Sequence, residues 1–333
     1  MKSLKPNINP LGNGFLFTAL IILVFAATVE SAFAQDYPTK PIKLVIPYPP
    51  GGATDVIGRV VALKLSEALG QQVVVDNRSG AAGSIGAAAV AAAPADGYTL
   101  LLGALTSHSI NSALQPNIQF DLARDFVPIG VVGEVPLVFV VNPAVPAKTF
   151  KEFLAYTKAN RGTTFASAGN GSPQHMAGEL FKSMTKVDML HIPYKGSGPA
   201  MIDLIGGQVQ SMIETIPAAQ AFIRDGKVRA LAVTTSTRYS NLPDVPTTAE
   251  AGLPDFIVTS MFGVLAPAKT PTAIVNKLTM ALEKILASPD TKDRLFAQGA
   301  VAGYLNPADT ARRIKVEVDK WSKVARDANI KLE

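Results

Sequence analysis

Short apolar runs alternate with helical periodicities along most of this chain. Strand-like runs fall at 42–47, 72–76, 99–104, 127–133, 137–142, 164–167, 189–193, 209–214, 228–234 and 257–265. Between them, apolar positions recur at helical spacing at 55–69, 84–92, 149–160, 173–186, 198–205 and 217–225. Alternation of this kind predicts an α/β architecture. The alanine-rich piece from Ala81 to Ala93 sits between two good strands and reads as a tightly packed helix. Later, Thr270-Pro271, Ser288-Pro289 and Asn306-Pro307 each place a capping side chain before a proline, a signature of helix starts. The final helix carries Ile314, Val318, Trp321 and Ala325 on one stripe, so it must pack back onto something. Two strand-rich middles and a helical tail predict one lobe from 35–136 plus 260–333, with a second, 137–259, inserted between them. Ile46-Pro47-Tyr48 and Ile192-Pro193-Tyr194, both at strand exits, form a weak internal echo of two similar halves.

The N-terminus follows a different pattern. Lys2 and Lys5 precede an apolar run from Phe15 to Val29, and Ala32-Phe33-Ala34 is a small-x-small cleavage site. These three regions define a secretory signal peptide cut after Ala34. The alternative is a membrane anchor, but the run of 15 residues falls short of the roughly 20 a spanning helix needs. The expected product is a soluble, exported, periplasmic protein. Cysteine is absent from the 333 residues, which excludes disulfides, thiolate chemistry and cysteine-ligated metals. The net charge of +5 is scattered, without a basic run or interleaved aromatics, so no nucleic-acid partner is expected.

The stretch from Tyr37 to Asp55 carries the strongest local signal. The strand ends at Pro47, and Tyr48, Pro49 and Pro50 form a stiff connection, because proline fixes φ and removes donors. Gly51 and Gly52 let the backbone approach a ligand closely. Thr54 is expected to cap the following helix, with Asp55 in its first turn. Strand, glycine loop and helix N-terminus together suit an anion. A second loop, Ser167-Ala168-Gly169-Asn170-Gly171-Ser172-Pro173-Gln174-His175, repeats that logic: Ser172 caps a helix that begins at Pro173. Neither loop contains Lys or Arg, so a carboxylate there would be held by backbone amides, hydroxyls and waters. Thr106, Ser107, Tyr194, Lys195 and Glu214 also follow strands and are candidate crevice residues, since α/β sheets bind ligands at strand carboxyl ends. Asp55 reads as dipole-stabilised or as a partner for a ligand amino group, and Asp203 as a residue that holds a loop.

Enzyme and cofactor signatures are missing. Around Ser167 the G-x-S-x-G elbow fails because Phe165 occupies the first glycine position. Gly80, Gly83 and Gly86 give G-x-x-G-x-x-G, not the dinucleotide pattern, and there is no Walker motif. His175 and Glu179 sit four apart on a predicted helix, yet no further metal ligands are evident. A rival hydrolase would use Ser167 or Ser172 with His108 or His175. No catalytic residue, cofactor or metal is assigned.

Taken together, the chain resembles the receptors of tripartite tricarboxylate transporters, the TctC-like or Bug family. The carriers are YPTKPIKLVIPYPPGGATD at 37–55, GAAGSIGAAAVAAAPADGYTLLLG at 80–103, TSHSINSAL at 106–114, AGNGSPQHMAGELF at 168–181, HIPYKGSGPAMIDLIGGQV at 191–209 and LAVTTSTRYSNLPDVPTTAEAGLP at 231–254. The resemblance implies a two-lobed Venus-flytrap with ligand in the cleft, and a pincer of Tyr48–Asp55 and Ser167–His175 on a ligand carboxylate. It implies a small organic carboxylate as ligand: a di- or tricarboxylate, an aromatic acid or an acidic amino acid. It also implies a monomeric receptor serving membrane permease subunits, or alternatively a sensory module for a membrane signalling protein. Ala82, Ile202, Gln210, Glu214 and Thr215 depart from the residues usual in the family, which leaves the ligand's identity open.

Overall fold

The computed structural model describes residues 37–115 and 118–330. The leader expected at 1–34 lies outside them. Among the described residues no helix is long and apolar enough to cross a membrane.

Ten strands share one curled sheet. In the first lobe β1 (Ile42–Ile46), β2 (Val73–Asn77) and β3 (Thr99–Ala104) run parallel in the order β2-β1-β3. The antiparallel β9 (Thr259–Pro267) continues that order. Next comes β4 (Phe126–Val141), flanked by β10 (Val301–Leu305). In the second lobe β5 (Thr163–Ser167), β6 (Met189–Pro193) and β7 (Ser211–Thr215) run parallel in the order β6-β5-β7. There β7 is followed by the far half of β4, which also pairs β8 (Arg229–Val233).

One strand therefore serves both lobes. β4 pairs β9 from Phe126 to Pro136, then β7 from Leu137 to Val141. The sequence pattern breaks this strand in two at 134–136, where Glu134 and Pro136 interrupt the apolar run. The chain stays extended instead: bulges between Pro128 and Gly130 and between Val131 and Gly133 absorb its irregular residues. Pro136 falls where the pairing partner changes. Thr234, just past β8, ties the crossing together: its N–H and hydroxyl both donate to the Leu137 carbonyl, and its own carbonyl accepts from Val258 N–H.

The two parallel triplets are equivalent in order, so β5, not β6, corresponds to β1. The Ile-Pro-Tyr echo therefore joins non-equivalent strands, central β1 and edge β6. The structural equivalence runs from the loop after β1 to the loop after β5.

Helices cover both faces. α1 (Ala53–Leu69) and α8 (Thr272–Ala287) bury Ile57, Val61, Leu65, Leu278, Leu282 and Ile285 against β1, β3 and β4. In the second lobe α4 (Phe150–Ala159) and α5 (Pro173–Thr185) enclose Phe139, Phe150, Phe153 and Phe181. On its other face α6 (Ser197–Ile205) and α7 (Ile216–Arg224) cover Val138, Val140 and Met212. The C-terminal helix α10 (Pro307–Asp327) follows α9 (Pro289–Ala297) and is shared between cores. Ile314 joins Leu101, Leu105 and Phe126, whereas Trp321, Val324 and Ala325 join the phenylalanine cluster of the second lobe.

Of the three helix starts marked by proline, Asn306 caps as expected, accepting from Asp309 N–H at 2.9 Å. The next two differ. Pro271 is the N-cap of α8, because the Thr270 hydroxyl donates back to the Pro267 carbonyl instead. Ser288 precedes α9 without a side-chain cap bond.

Candidate functional site

The loop after β1 is fixed by its surroundings. Gly52, not Thr54, is the N-cap of α1. Thr54 lies inside the first turn and is buried. Asp55 reaches back to Gly51 N–H at 2.9 Å, which fixes the loop ahead of the N-cap and leaves the first amides of α1 without a side-chain cap. Gly51 has φ +84°, a conformation that glycine tolerates at little cost. Asp55 also accepts from Arg59 Nε and Asn77 Nδ2, each at 2.9 Å. Burial would raise its pKa, but these three donors outweigh that and hold it near about 2.

Thr106-Ser107-His108, read from sequence as a loop, is the first turn of a buried helix, α3 (Leu105–Leu114). Polar residues hid this helix, and each has a structural use. The Thr106 hydroxyl donates to the Thr259 carbonyl and accepts from Met261 N–H, both at 3.0 Å, stitching α3 to the start of β9. Asn111 Nδ2 donates to the Ala82 carbonyl at 2.9 Å. His108 stacks on Tyr48, 6.2 Å between ring centroids, and burial lowers its pKa to about 4. Of the Thr106-Ser107-His108 turn, Ser107 alone stays half-exposed, beside the Tyr48 hydroxyl. Burial pushes that phenol up to about 12, against the opposing pull of Ser107.

Ala82 holds a left-handed conformation, φ +53° and ψ +32°, while its carbonyl receives Tyr48 and Asn111. A left-handed alanine costs about 1–2 kcal/mol. Ala82→Gly is expected to stabilise the protein by about 1 kcal/mol, since the relieved strain exceeds glycine's extra unfolded-state entropy. Urea unfolding measures it, and a destabilised variant contradicts it.

The loop after β5 follows the sequence reading closely. Ser172 caps α5, accepting from His175 N–H at 3.2 Å, and Pro173 is the first helical residue. His175 Nδ1 accepts from Gly171 N–H at 3.1 Å. Gly169 and Gly171 both have positive φ, +128° and +72°. Ala168 and Tyr194 zip this loop to the exit of β6: Tyr194 N–H donates to the Ser167 carbonyl, and Gly196 N–H to that of Ala168. The Tyr194 hydroxyl donates to Asp203 at 2.8 Å, the loop-holding role read for that acid, and burial with Asp203 raises the phenol to about 12. Asn170 and Lys195 are exposed, and Lys195 has no ion-pair partner among the described residues. Gln174 Nε2 donates to buried Glu214 at 2.9 Å and lies 3.4 Å from Ser197 Oγ. Glu214 also accepts from Thr215 N–H. Gln210 and Ile202 stand apart from these contacts: Gln210 pins Thr164 at the start of β5, and Ile202 is 69% exposed.

His191 was invisible in the sequence. Its Nε2 lies 2.6 Å from Ser167 Oγ, and its ring stacks on His175 at 3.9 Å. Ser167 is fully buried under that contact. Burial, with the nearby Lys182 charge, lowers His175 to about 4, and burial, His175 and Lys182 lower His191 to about 3. The unfolded chain, with histidines near about 6.5, binds more protons than the folded one between that pH and about 3. Stability is therefore complete above pH about 6.5 and falls as pH drops through that window. Urea unfolding from pH 7 to 4 reads this, and a flat profile contradicts it.

Both loops leave helix amides unused. Among the described residues the N–H groups of Gly52, Ala53 and Thr54 at α1, and of Asn170 and Gln174 at α5, make no hydrogen bond. Each set follows the central strand of its parallel triplet. Helix α3 touches both sides, with Asn111 on the Ala82 turn and Ile110 and Leu114 packed with Met176 and Ala177 of α5. A cavity of about 540 Å³ beside the crossing strand β4, lined by Glu134, Thr235–Ser240, Val301–Leu305 and Arg313, includes no residue of either loop.

Two α/β lobes joined by one shared strand, with unused helix amides at equivalent strand ends, define a periplasmic-binding-protein type of solute receptor. Sequence and structure comparisons agree. The family described as tripartite tricarboxylate transporter family receptor matches residues 57–330. Protein BugT of Bordetella pertussis is 41% identical over 94% of this chain and 98% of its own. Rpa4515 of R. palustris, solved with adipate, aligns with a TM-score of 0.78 at 39% identity, over 89% of this chain and 99% of its own. MatC of Rhodopseudomonas palustris, solved with bound malate, aligns with a TM-score of 0.73 at 34% identity, over 86% and 99%. The chain belongs to the tripartite tricarboxylate transporter receptor family, whose members are periplasmic solute-binding receptors and not enzymes.

Proposed function

We propose that this receptor captures a small dicarboxylate between its lobes and holds one carboxylate on the open amides of α1 and α5. The single observation that carries this reading is the pair of unpaired amide sets at equivalent strand ends. Each helix end adds a positive dipole worth roughly 0.3–2 kcal/mol, so several donors must converge on one anion. The adipate and malate bound to two relatives support a ligand with two carboxylates. Tyr48, Pro49, Gly51, Gly52 and Ser107 form one jaw, and Ala168 to His175 with Tyr194 the other. Lys195, exposed beside the second loop, suits the distal carboxylate.

The lobes divide at 136/137 and 259/260, where β4 changes partners, and closure bends the crossing around Thr234. The mature chain begins after Ala34, acts as a monomer in the periplasm and delivers its cargo to membrane permease subunits. A thermal-shift panel of mono-, di- and tricarboxylates, aromatic acids and acidic amino acids tests the ligand class. A ligand at 100 times its Kd adds about 2.7 kcal/mol of stability. Dicarboxylates are expected to raise Tm, whereas a panel in which no dicarboxylate does so contradicts the reading.

A further inference from the structure

We propose that Asn77 and Arg59 are positioning residues of the binding site: Asn77 clamps the first loop at both ends, and Arg59 cancels the carboxylate that would compete with the ligand for the α1 amides. This rests on the dicarboxylate reading above.

The loop Tyr48-Pro49-Pro50-Gly51 has two flanking backbone groups, and both are tied to the same pair of side chains. Asn77 Nδ2 donates to the Tyr48 carbonyl at 3.0 Å and to Asp55 Oδ1 at 2.9 Å. Asp55 Oδ2 accepts from Gly51 N–H at 2.9 Å. The chain between those anchors is two prolines, which cannot donate and whose φ is fixed. The connection is thus closed into a ring by Asn77 at the end of β2 and Asp55 on α1. Such support makes donors effective, because their geometry is set before the ligand arrives.

Asp55 creates a problem that Arg59 solves. Its carboxylate is 2% exposed and lies in the same helical turn as the Gly52, Ala53 and Thr54 amides. Left unpaired, it would repel an incoming carboxylate and could accept those amides itself. Arg59 Nε sits 2.9 Å from Asp55 Oδ2, and the guanidinium also donates to Asn77 Oδ1 at 3.3 Å. Arg59 therefore locks the clamp and removes its charge, while its own side chain remains 54% exposed. The loop itself carries no cation, so this neutralisation comes from one helical turn further along α1.

The test compares wild type, Arg59→Gln, Arg59→Lys and Asn77→Ala by calorimetric titration with adipate and with malate at two salt concentrations. Arg59→Gln is expected to weaken binding about tenfold at low ionic strength, with the gap narrowing to about threefold near 0.5 M salt, because the uncovered Asp55 charge is screened. Arg59→Lys keeps the charge and should stay within about threefold of wild type. Asn77→Ala should weaken binding about tenfold, largely independent of salt, since it loosens the loop without adding charge. Arg59→Gln within twofold of wild type overturns the proposal, and so does a loss that ignores salt and is not rescued by lysine. In the ligand-free protein, Asn77→Ala should speed hydrogen exchange of the Gly51 amide at least about tenfold. Unchanged exchange overturns the clamp whatever the ligand is. If wild type binds neither adipate nor malate, the titrations are run with whichever dicarboxylate raises Tm; if none does, the dicarboxylate reading fails by itself and the exchange result still decides the clamp.

Discussion

Trp321→Ala is expected to destabilise the receptor by about 3–5 kcal/mol, the range for emptying a large buried aromatic site. Trp321 is fully buried, and its Nε1 donates to Glu317 Oε2 at 2.8 Å. Its ring shares a core with Phe139, Phe150 and Phe181 of the second lobe and with Ile110 and Leu114 of α3. Two turns earlier on the same helix face, Ile314 packs with Leu101 and Phe126 of the first lobe. The substitution opens a cavity at the seam between lobes, and it strips a donor from Glu317, which is 3% exposed. Trp321→Phe separates the two effects. It keeps most of the volume and should cost about 1–3 kcal/mol for the orphaned carboxylate oxygen. Typical domains hold only about 5–15 kcal/mol in total, so the alanine variant should be visibly weakened in urea. A loss below about 1 kcal/mol for Trp321→Ala would show that α10 is not the strap between cores.

Gly171→Val is expected to cut dicarboxylate affinity about a hundredfold while the fold persists. Gly171 has φ +72°, a left-handed conformation that a β-branched residue essentially does not adopt. Its N–H is bound to His175 Nδ1, so rotating it out of place also moves Asn170 and the α5 cap. A hundredfold loss corresponds to about 2.7 kcal/mol, consistent with misplacing several amides at once. Ser172→Val is the milder companion: it removes the side-chain cap, worth about 1 kcal/mol, and should loosen the same amides. Both variants should still unfold cooperatively, with stability lowered by about 1–3 kcal/mol for the lost cap or the strained backbone. Unchanged affinity in both removes the second loop from the site.

Much of the architecture was legible because its signals are local. Apolar runs bounded by proline and glycine marked β1, β3 and β5, and Ser172-Pro173 marked the start of α5 down to its first residue. What escaped depends on partners far along the chain. The α3 helix looked like a polar loop because Thr106, His108 and Asn111 are buried against β9, Tyr48 and Ala82, none of them a sequence neighbour. β10 escaped because its residues alternate between exposed and half-buried, so no apolar run announces it. β4 read as two strands because Gly130, Gly133 and Pro136 look like breaks, whereas bulges and a change of partner accommodate them. At the site, the glycine loops were apparent and their supports were not. The Asp55–Arg59 spacing of four on one helix was the available hint for the clamp, but nothing local connects Asn77 to Tyr48, or His191 to Ser167. Loops that present amides write themselves in glycine and proline, while the side chains that aim them come from other elements.

The receptor reading stands or falls most directly on calorimetric titration of adipate and malate into the wild-type protein at neutral pH. The account predicts saturable one-to-one binding of at least one of these dicarboxylates, with the matching monocarboxylate much weaker. Absence of binding by both, alongside tight binding of a ligand that carries no carboxylate, would contradict it.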